Sequence, residues 1–151
     1  KLNSDMGSTI VMALVYGNNV CLGHVGDSRA YQINQDRINQ LTEDHSLVER
    51  LIKNGQITRQ EARNHPQRNV IYRTIGDKEK VDVETLFCNM NRGDRLLLCS
   101  DGLSGMVDDE MIRQIVFEPG FSPQAPCDKL VNAANQAGGE DNITVVILEF
   151  R

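Results

Sequence analysis

Apolar residues occur in short runs separated by polar turns over the first forty positions. One run covers residues 7–16 and a second covers 20–25, with a Gly-Asn-Asn turn between them. Shorter stretches at 31–33 and 37–41 alternate between apolar and polar side chains. Alternation and short apolar runs bounded by turns are typical of strands. The pattern predicts an antiparallel meander whose first hairpin is buried on both faces.

The pattern changes in residues 42–69, which are polar and helix-prone. Thr58 and Glu61 have the spacing of a capping box, which predicts the start of a helix. Seven of the 16 Lys and Arg residues lie between positions 36 and 73. Two interpretations stay open: a solvated face, or a lid that meets an anionic, phosphorylated substrate.

The second half of the chain contains both the alternation that is typical of strands and the spacing that is typical of helices. Strands are predicted at 81–88, 94–99 and 143–148. A helix is predicted to open at Asp108, because acidic residues suit a first turn, and another is predicted to open at Ser122. The predicted order is a run of strands, an insert, two strands, two helices and a final strand. This order favours an α+β fold with a largely antiparallel sheet.

Composition narrows the function classes. The 151 residues suit one domain, and the formal net charge of -5 argues against nucleic-acid binding. The four cysteines form no C-x-x-C pair, so we expect free thiols, no zinc site and a cytoplasmic location. No apolar run reaches the roughly 18 residues of a membrane helix.

Three acidic residues share one sequence context. Asp27 follows Gly26 and Asp101 precedes Gly102, each after an apolar run, whereas Asp141 follows Gly138-Gly139-Glu140 and precedes the run at Ile143. Carboxylates that meet at one sheet edge would suit Mg²⁺ or Mn²⁺, which prefer hard oxygen ligands. Taken singly, each acid fits an ordinary turn. The spacing alone also leaves open a nuclease or a calcium-stabilised domain.

Six segments together resemble, in order, motifs of the type-2C metal-dependent serine/threonine protein phosphatases, with the bacterial type the most similar. They are Met-Gly-Ser-Thr at 6–9, Gly-Asp-Ser-Arg-Ala-Tyr at 26–31, Leu-Thr-Glu-Asp-His-Ser at 41–46, Asn-Val-Ile-Tyr-Arg-Thr-Ile-Gly at 69–76, Ser-Asp-Gly-Leu at 100–103 and Gly-Glu-Asp-Asn-Ile-Thr-Val-Val at 139–146. The similarity covers nearly the whole chain.

The resemblance implies an antiparallel β-sandwich flanked by helices. Asp101 and Asp141 match carboxylates of a two-metal centre, and Asp27 matches an acid that helps hold a third, looser ion. The implied cofactor is Mn²⁺ or Mg²⁺, two to three ions in the complete domain. Residues 43–69 match a flap beside the active site. The implied reaction is attack of a metal-activated water on phosphoserine or phosphothreonine in proteins.

The sequence also departs from the family pattern. The family's earlier region carries a phosphate-holding arginine and an Asp-Gly-x-Gly-Gly motif, and neither occurs here. We therefore expect residues 1–151 to be the C-terminal portion of a single phosphatase domain, incomplete at the N-terminus. The isolated chain is then expected to be inactive or weakly active. The alternative is a non-catalytic, phosphatase-like sensor or interaction domain.

The resemblance also implies partners, which are phosphorylated proteins and a cognate serine/threonine kinase.

Position in the sequence suggests roles for several further residues. Flap residues near His45, Arg63 and Arg68 are candidates for substrate binding. His45 is otherwise expected to be a hydrogen-bonding residue at the base of the flap. His24 is expected to be a satisfied core histidine, and Arg29 a structural charge anchor.

Overall fold

The computed structural model describes residues 6–76, 79–118 and 124–151. Seven strands and five helices occur in these ranges, and their bounds are as follows. The strands are β1 (Ile10–Tyr16), β2 (Asn19–Val25), β3 (Arg29–Ile33), β4 (Ile38–Gln40), β5 (Glu84–Asn89), β6 (Arg95–Cys99) and β7 (Val145–Glu149). The helices are α1 (Leu47–Lys53), α2 (Arg59–Arg63), α3 (Asp101–Ser104), α4 (Asp109–Phe117) and α5 (Ala125–Gln136).

The strands form two antiparallel sheets. One has the order β1-β2-β5 and the other the order β4-β3-β6-β7. Val20, Leu22, Ala30, Leu96 and Met90 fill the space between the sheets and are at most 1% exposed. Side chains alternate across each strand, so each sheet contributes every second residue to this layer.

A second core lies on the other side of the four-stranded sheet. There Tyr31, Leu97 and Leu103 pack with Ile112 of α4 and Leu130 of α5, all fully buried. Helices α3 to α5 therefore cover the outer face of this sheet. The predicted α+β class and helix-flanked antiparallel sandwich are confirmed.

The helix starts follow the sequence signals where these fall on described residues. Thr58 caps α2 in a full capping box with Glu61. The Asp108 side chain accepts the backbone N–H of Met111 and begins α4. The predicted helix start at Ser122 lies outside the described residues. No helix in the described ranges is long and apolar enough to cross a membrane.

The expectation that the first hairpin is buried on both faces is wrong. The outward side chains of β1 and β5 are exposed, with Leu14 at 70%, Tyr16 at 85% and Phe87 at 78%. None of the described helices covers this side of the β1-β2-β5 sheet. The sequence predicted two buried faces because the run is apolar throughout. Burial, however, requires a second layer that packs against it.

This uncovered face predicts binding of an apolar dye. We expect the Leu14→Thr/Phe87→Thr double variant to lose most of the anilinonaphthalene sulfonate fluorescence of the native protein, because exposed apolar patches bind such dyes. Threonine keeps β propensity, and the positions are exposed, so stability should change by less than about 1 kcal/mol. Val146→Thr, an exposed change on the other sheet, should leave the fluorescence unaltered. Equal fluorescence from all three proteins would contradict this account of the face.

Candidate metal centre

Strand register places two of the predicted carboxylates at the same end of one sheet. Arg29 of β3 pairs with Cys99 of β6 in an antiparallel ladder. Asp27 precedes Arg29 by two residues and Asp101 follows Cys99 by two residues, so both acids lie at the same end of this ladder, because the two strands run in opposite directions. The end of β6 pairs with the start of β7, and Asp141 shortly precedes that start. All three acids therefore lie at one end of the four-stranded sheet.

The loop that carries Asp141 is bonded directly to the end of β6. The Ser100 hydroxyl donates to the Asn142 carbonyl at 3.0 Å and accepts the Thr144 N–H at 3.0 Å. Gly102 is required beside this loop, because a Cβ atom there would lie 2.4 Å from the Asn142 oxygen. The serine and glycine on either side of Asp101 thus position the two acidic loops against each other.

Asp27 is fixed by the tight turn that precedes β3. Gly26 has a φ of 113°, and a Cβ there would lie 2.3 Å from a Thr9 methyl carbon. The positive φ and the close contact with Thr9 both exclude any residue larger than glycine at position 26. Thr9 and Ser28 hydroxyls are hydrogen-bonded at 2.9 Å, and the His45 N–H donates to the Gly26 carbonyl at 2.8 Å. The turn is therefore held by Thr9, just before β1, on one side and by His45 on the other.

The three carboxylates line one cavity of about 260 Å³. Its charged lining has two parts, acids and arginines. The acids are Asp27, Asp44, Glu49, Asp101, Asp109, Glu140 and Asp141, and the arginines are Arg29, Arg59, Arg63 and Arg68. Asp101 and Asp141 lie at the end of the sheet, and Arg59, Arg63 and Arg68 come from residues 43–69.

The electrostatics of this cavity oppose ionisation of its acids. Burial, together with Asp101 and Asp44, raises the pKa of Asp27 to about 6. Burial and then Asp141 raise the pKa of Asp101. Among the described residues, Asp27 has no ion pair and no hydrogen bond to another side chain. A buried carboxylate without a cationic partner costs free energy, and a bound cation would offset that cost.

Arg29 is the structural anchor that the sequence suggested, and its partner is Asp44. The Arg29 Nε and Nη2 atoms donate to the Asp44 carboxylate at 2.9 and 2.6 Å. Arg29 also donates to the Tyr31 hydroxyl at 3.0 Å, and Gln40 donates to Asp44 at 3.1 Å. The role of Asp44 was not predicted from sequence, because the acid is fifteen residues from its partner and no local pattern joins them.

The predicted substrate-binding residues separate into two groups. Arg63 and Arg68 line the cavity. Arg68 donates to the Glu140 carboxylate at 2.7 Å and thereby connects residues 43–69 to the loop of Asp141. His45 is 2% exposed and is not among the cavity-lining residues. Its imidazole instead accepts the Gly26 N–H at 3.0 Å through Nδ1, so His45 is a hydrogen-bonding residue beside the turn of Asp27.

His24, His45 and Glu84 form a second cluster, with ligand atoms within 4.8 Å of one another. Two contacts argue against a cation there. The Gly26 N–H occupies the His45 Nδ1 lone pair, so a neutral imidazole carries its proton on Nε2, 3.1 Å from Glu84. A metal at Nε2 would require the other nitrogen to donate instead. The Arg73 guanidinium also lies 3.0 Å from Nε2.

His24 is a core residue, but it is not satisfied as predicted. It is 1% exposed, and neither ring nitrogen has a hydrogen-bond partner. Its Nδ1 lies 3.7 Å from the Glu84 carboxylate, which is too long for a hydrogen bond. Burial and then the neighbouring His45 lower the pKa of His24, which keeps the ring neutral.

The fold and the acidic cavity agree with the resemblance to type-2C phosphatases. Comparisons with known proteins agree. The family described as Protein phosphatase 2C matches residues 1–51, and the family described as Stage II sporulation protein E matches residues 51–151. This chain belongs to the protein phosphatase 2C family.

Its relatives include named bacterial phosphatases. A serine/threonine phosphatase stp from Listeria innocua is 42% identical over 97% of this chain and 58% of that protein. Serine/threonine phosphatase Stp1 from Staphylococcus aureus superposes with a TM-score of 0.94 at 39% identity, over 97% of this chain and 57% of that one. The catalytic domain of PstP, solved in complex with two manganese ions, has a TM-score of 0.85 at 35% identity, over 95% of this chain and 59% of its own. This chain thus spans a little under three fifths of their length.

Proposed function

We propose that this chain supplies part of a metal-dependent centre that hydrolyses phosphoserine and phosphothreonine esters in proteins. The observation that carries the proposal is that Asp27, Asp101 and Asp141 line one cavity. Family membership supports the same activity, because relatives over nearly the whole chain are named serine/threonine phosphatases.

The donor set fits Mn²⁺ or Mg²⁺. All three side chains offer carboxylate oxygens, which hard divalent cations prefer, and the raised pKa values of Asp27 and Asp101 mark acids that lack a counterion. When bound, such ions neutralise phosphoryl charge and lower the pKa of a water. The task of these residues is to hold the ions in fixed positions at the end of the sheet.

We also propose that residues 43–69 act as the flap of this site. Helices α1 and α2 lie within this segment, and the arginines that line the cavity opposite the acids come from it. Arg63 and Arg68 are placed to contact an anionic substrate, since guanidinium groups bind phosphate and carboxylate oxygens through paired hydrogen bonds. His45 holds the flap to the turn of Asp27.

Metal binding tests the proposed site directly. We expect Asp101→Asn to weaken Mn²⁺ binding at least tenfold, because it removes a charged oxygen ligand from the centre of the acidic group. The measurement is titration of free Mn²⁺ by electron paramagnetic resonance. Asp36→Asn, a change in an exposed turn, is the matched control and should bind as the native chain does. Equal affinities for all three proteins would overturn the assignment.

Turnover by this chain should be low. A centre that holds two or three divalent ions needs more fixed oxygen ligands than three carboxylates provide. Three further cavity acids, Asp44, Glu49 and Glu140, are engaged by arginines. The assay is phosphate release from a phosphothreonine peptide with and without Mn²⁺. A weak, Mn²⁺-dependent rate that disappears in Asp101→Asn supports the proposal. A rate independent of Mn²⁺ and of Asp101 contradicts it.

A further inference from the structure

The cavity of the proposed centre contains four arginines, and three of them are already neutralised. Arg29 makes a bidentate pair with Asp44. Arg68 donates to Glu140 at 2.7 Å. Arg59 lies 3.7 Å from Glu49. In each case an acid of the same cavity supplies the counter-charge, so none of these three guanidinium groups is fully available to an incoming anion.

Arg63 differs from the other three. Within the described residues it has no ion pair and no hydrogen bond, although it lines the same cavity. It lies in the last turn of α2, four residues after Arg59 and therefore on the same side of the helix. Among the described residues, Arg63 is thus the one arginine lining the cavity that has no acidic partner.

An unpaired arginine beside an acidic centre affects which part of a substrate can bind there. The phosphoryl group that undergoes hydrolysis has to lie at the carboxylates, because the ions are held there. Arg63, on the flap, would then contact a different part of the substrate. A guanidinium binds carboxylate and phosphate oxygens through two parallel N–H donors. The substrate part that fits it is a second anionic group near the phosphorylated residue.

We infer that Arg63 is a specificity-determining residue that selects phosphopeptides carrying a second anionic group, either an acidic side chain or a second phosphate. This inference rests on the proposed function for the position of the first phosphate. It extends that function by naming the substrate class and the residue that recognises it. Arg59, on the same helix but close to Glu49, is the natural control.

The test compares binding of labelled peptides to this chain by fluorescence anisotropy, with millimolar Mn²⁺ at fixed salt. Three peptides are needed: phosphothreonine with neutral flanks, phosphothreonine with a nearby glutamate, and doubly phosphorylated. We expect the two doubly anionic peptides to bind roughly tenfold more tightly than the neutral-flank peptide. Arg63→Gln, which keeps helix propensity, should abolish that preference, so that all three peptides bind the variant with the same affinity. Arg63→Lys should retain part of it.

The outcomes separate this inference from the proposed function. Preference for only one of the two doubly anionic peptides identifies the source of the second anion and supports the inference. The inference is overturned if the preference survives Arg63→Gln or falls equally in Arg59→Gln. Either result would mean that the preference does not depend specifically on Arg63. Mn²⁺-dependent binding without any preference overturns this inference and leaves the proposed function standing. Absence of Mn²⁺-dependent binding by every peptide overturns both.

Discussion

Replacing Asp44 with asparagine is expected to destabilise the protein by about 3 kcal/mol, because the change leaves the Arg29 charge without its counterion in a largely buried position. The Asp44 side chain is 9% exposed and that of Arg29 is 22% exposed, so water cannot replace the lost carboxylate fully. Asparagine keeps the shape and offers one acceptor oxygen where two had been bonded. The measurement is the free energy of unfolding in urea at neutral pH.

A double-variant cycle separates the pair from the effects of each single change. Arg29→Met alone removes the charge and leaves Asp44 buried and unpaired, so it should also be strongly destabilising. The combined Arg29→Met/Asp44→Asn protein should be more stable than the sum of the single losses predicts. Lys53→Ala, which removes an exposed ion pair with Glu43, should leave the stability nearly unchanged. A similarly small loss for Asp44→Asn would show that the anchor contributes little.

The elements that the sequence predicted well have local signals. The capping box at Thr58 and the acid before α4 are recognised within four residues. The strand runs are recognised by alternation, and their ends differ from the prediction by a few residues. Asp27, Asp101 and Asp141 were singled out because acid follows or precedes an apolar run beside glycine. That signal is also local, and the register of β3, β6 and β7 brings the three acids to one end of the sheet.

Features that depend on distant partners could not be predicted in the same way. The Asp44 carboxylate joins Arg29 across a loop, and Glu84 approaches His45 from a strand 39 residues later. Arg68 and Glu140 are 72 residues apart. Neither composition nor periodicity encodes such pairs, because they follow from how the two sheets and the flap are assembled. Exposure of the β1 face is a further case, since the sequence of a strand does not show what covers it.

The pH dependence of stability provides a test of the candidate centre that needs no metal. The raised pKa of Asp27, about 6 against about 3.9 in an unfolded chain, means that the folded state binds the proton more tightly than the unfolded state does. Stability from this group is therefore gained as pH falls through about 6 and lost as pH rises through it. The burial-raised pKa of Asp101 acts in the same direction. The buried His24 and His45 act in the opposite direction, because their lowered pKa values disfavour folding at acidic pH.

Asp27→Asn isolates the contribution of that one carboxylate, since the histidines are common to both proteins. In a chelating buffer at pH 7.5 the variant should be more stable than the native chain by about 2–3 kcal/mol, the value of roughly two pKa units. The advantage should disappear as pH falls to about 4, where Asp27 is protonated in both states. Added Mn²⁺ should reduce the advantage at pH 7.5 by stabilising the native chain alone, because a bound cation favours the ionised carboxylate. The check is urea unfolding of both proteins across this pH range. A variant less stable than the native chain at pH 7.5 in chelator would show that Asp27 serves the fold and carries no cost that a cation could offset.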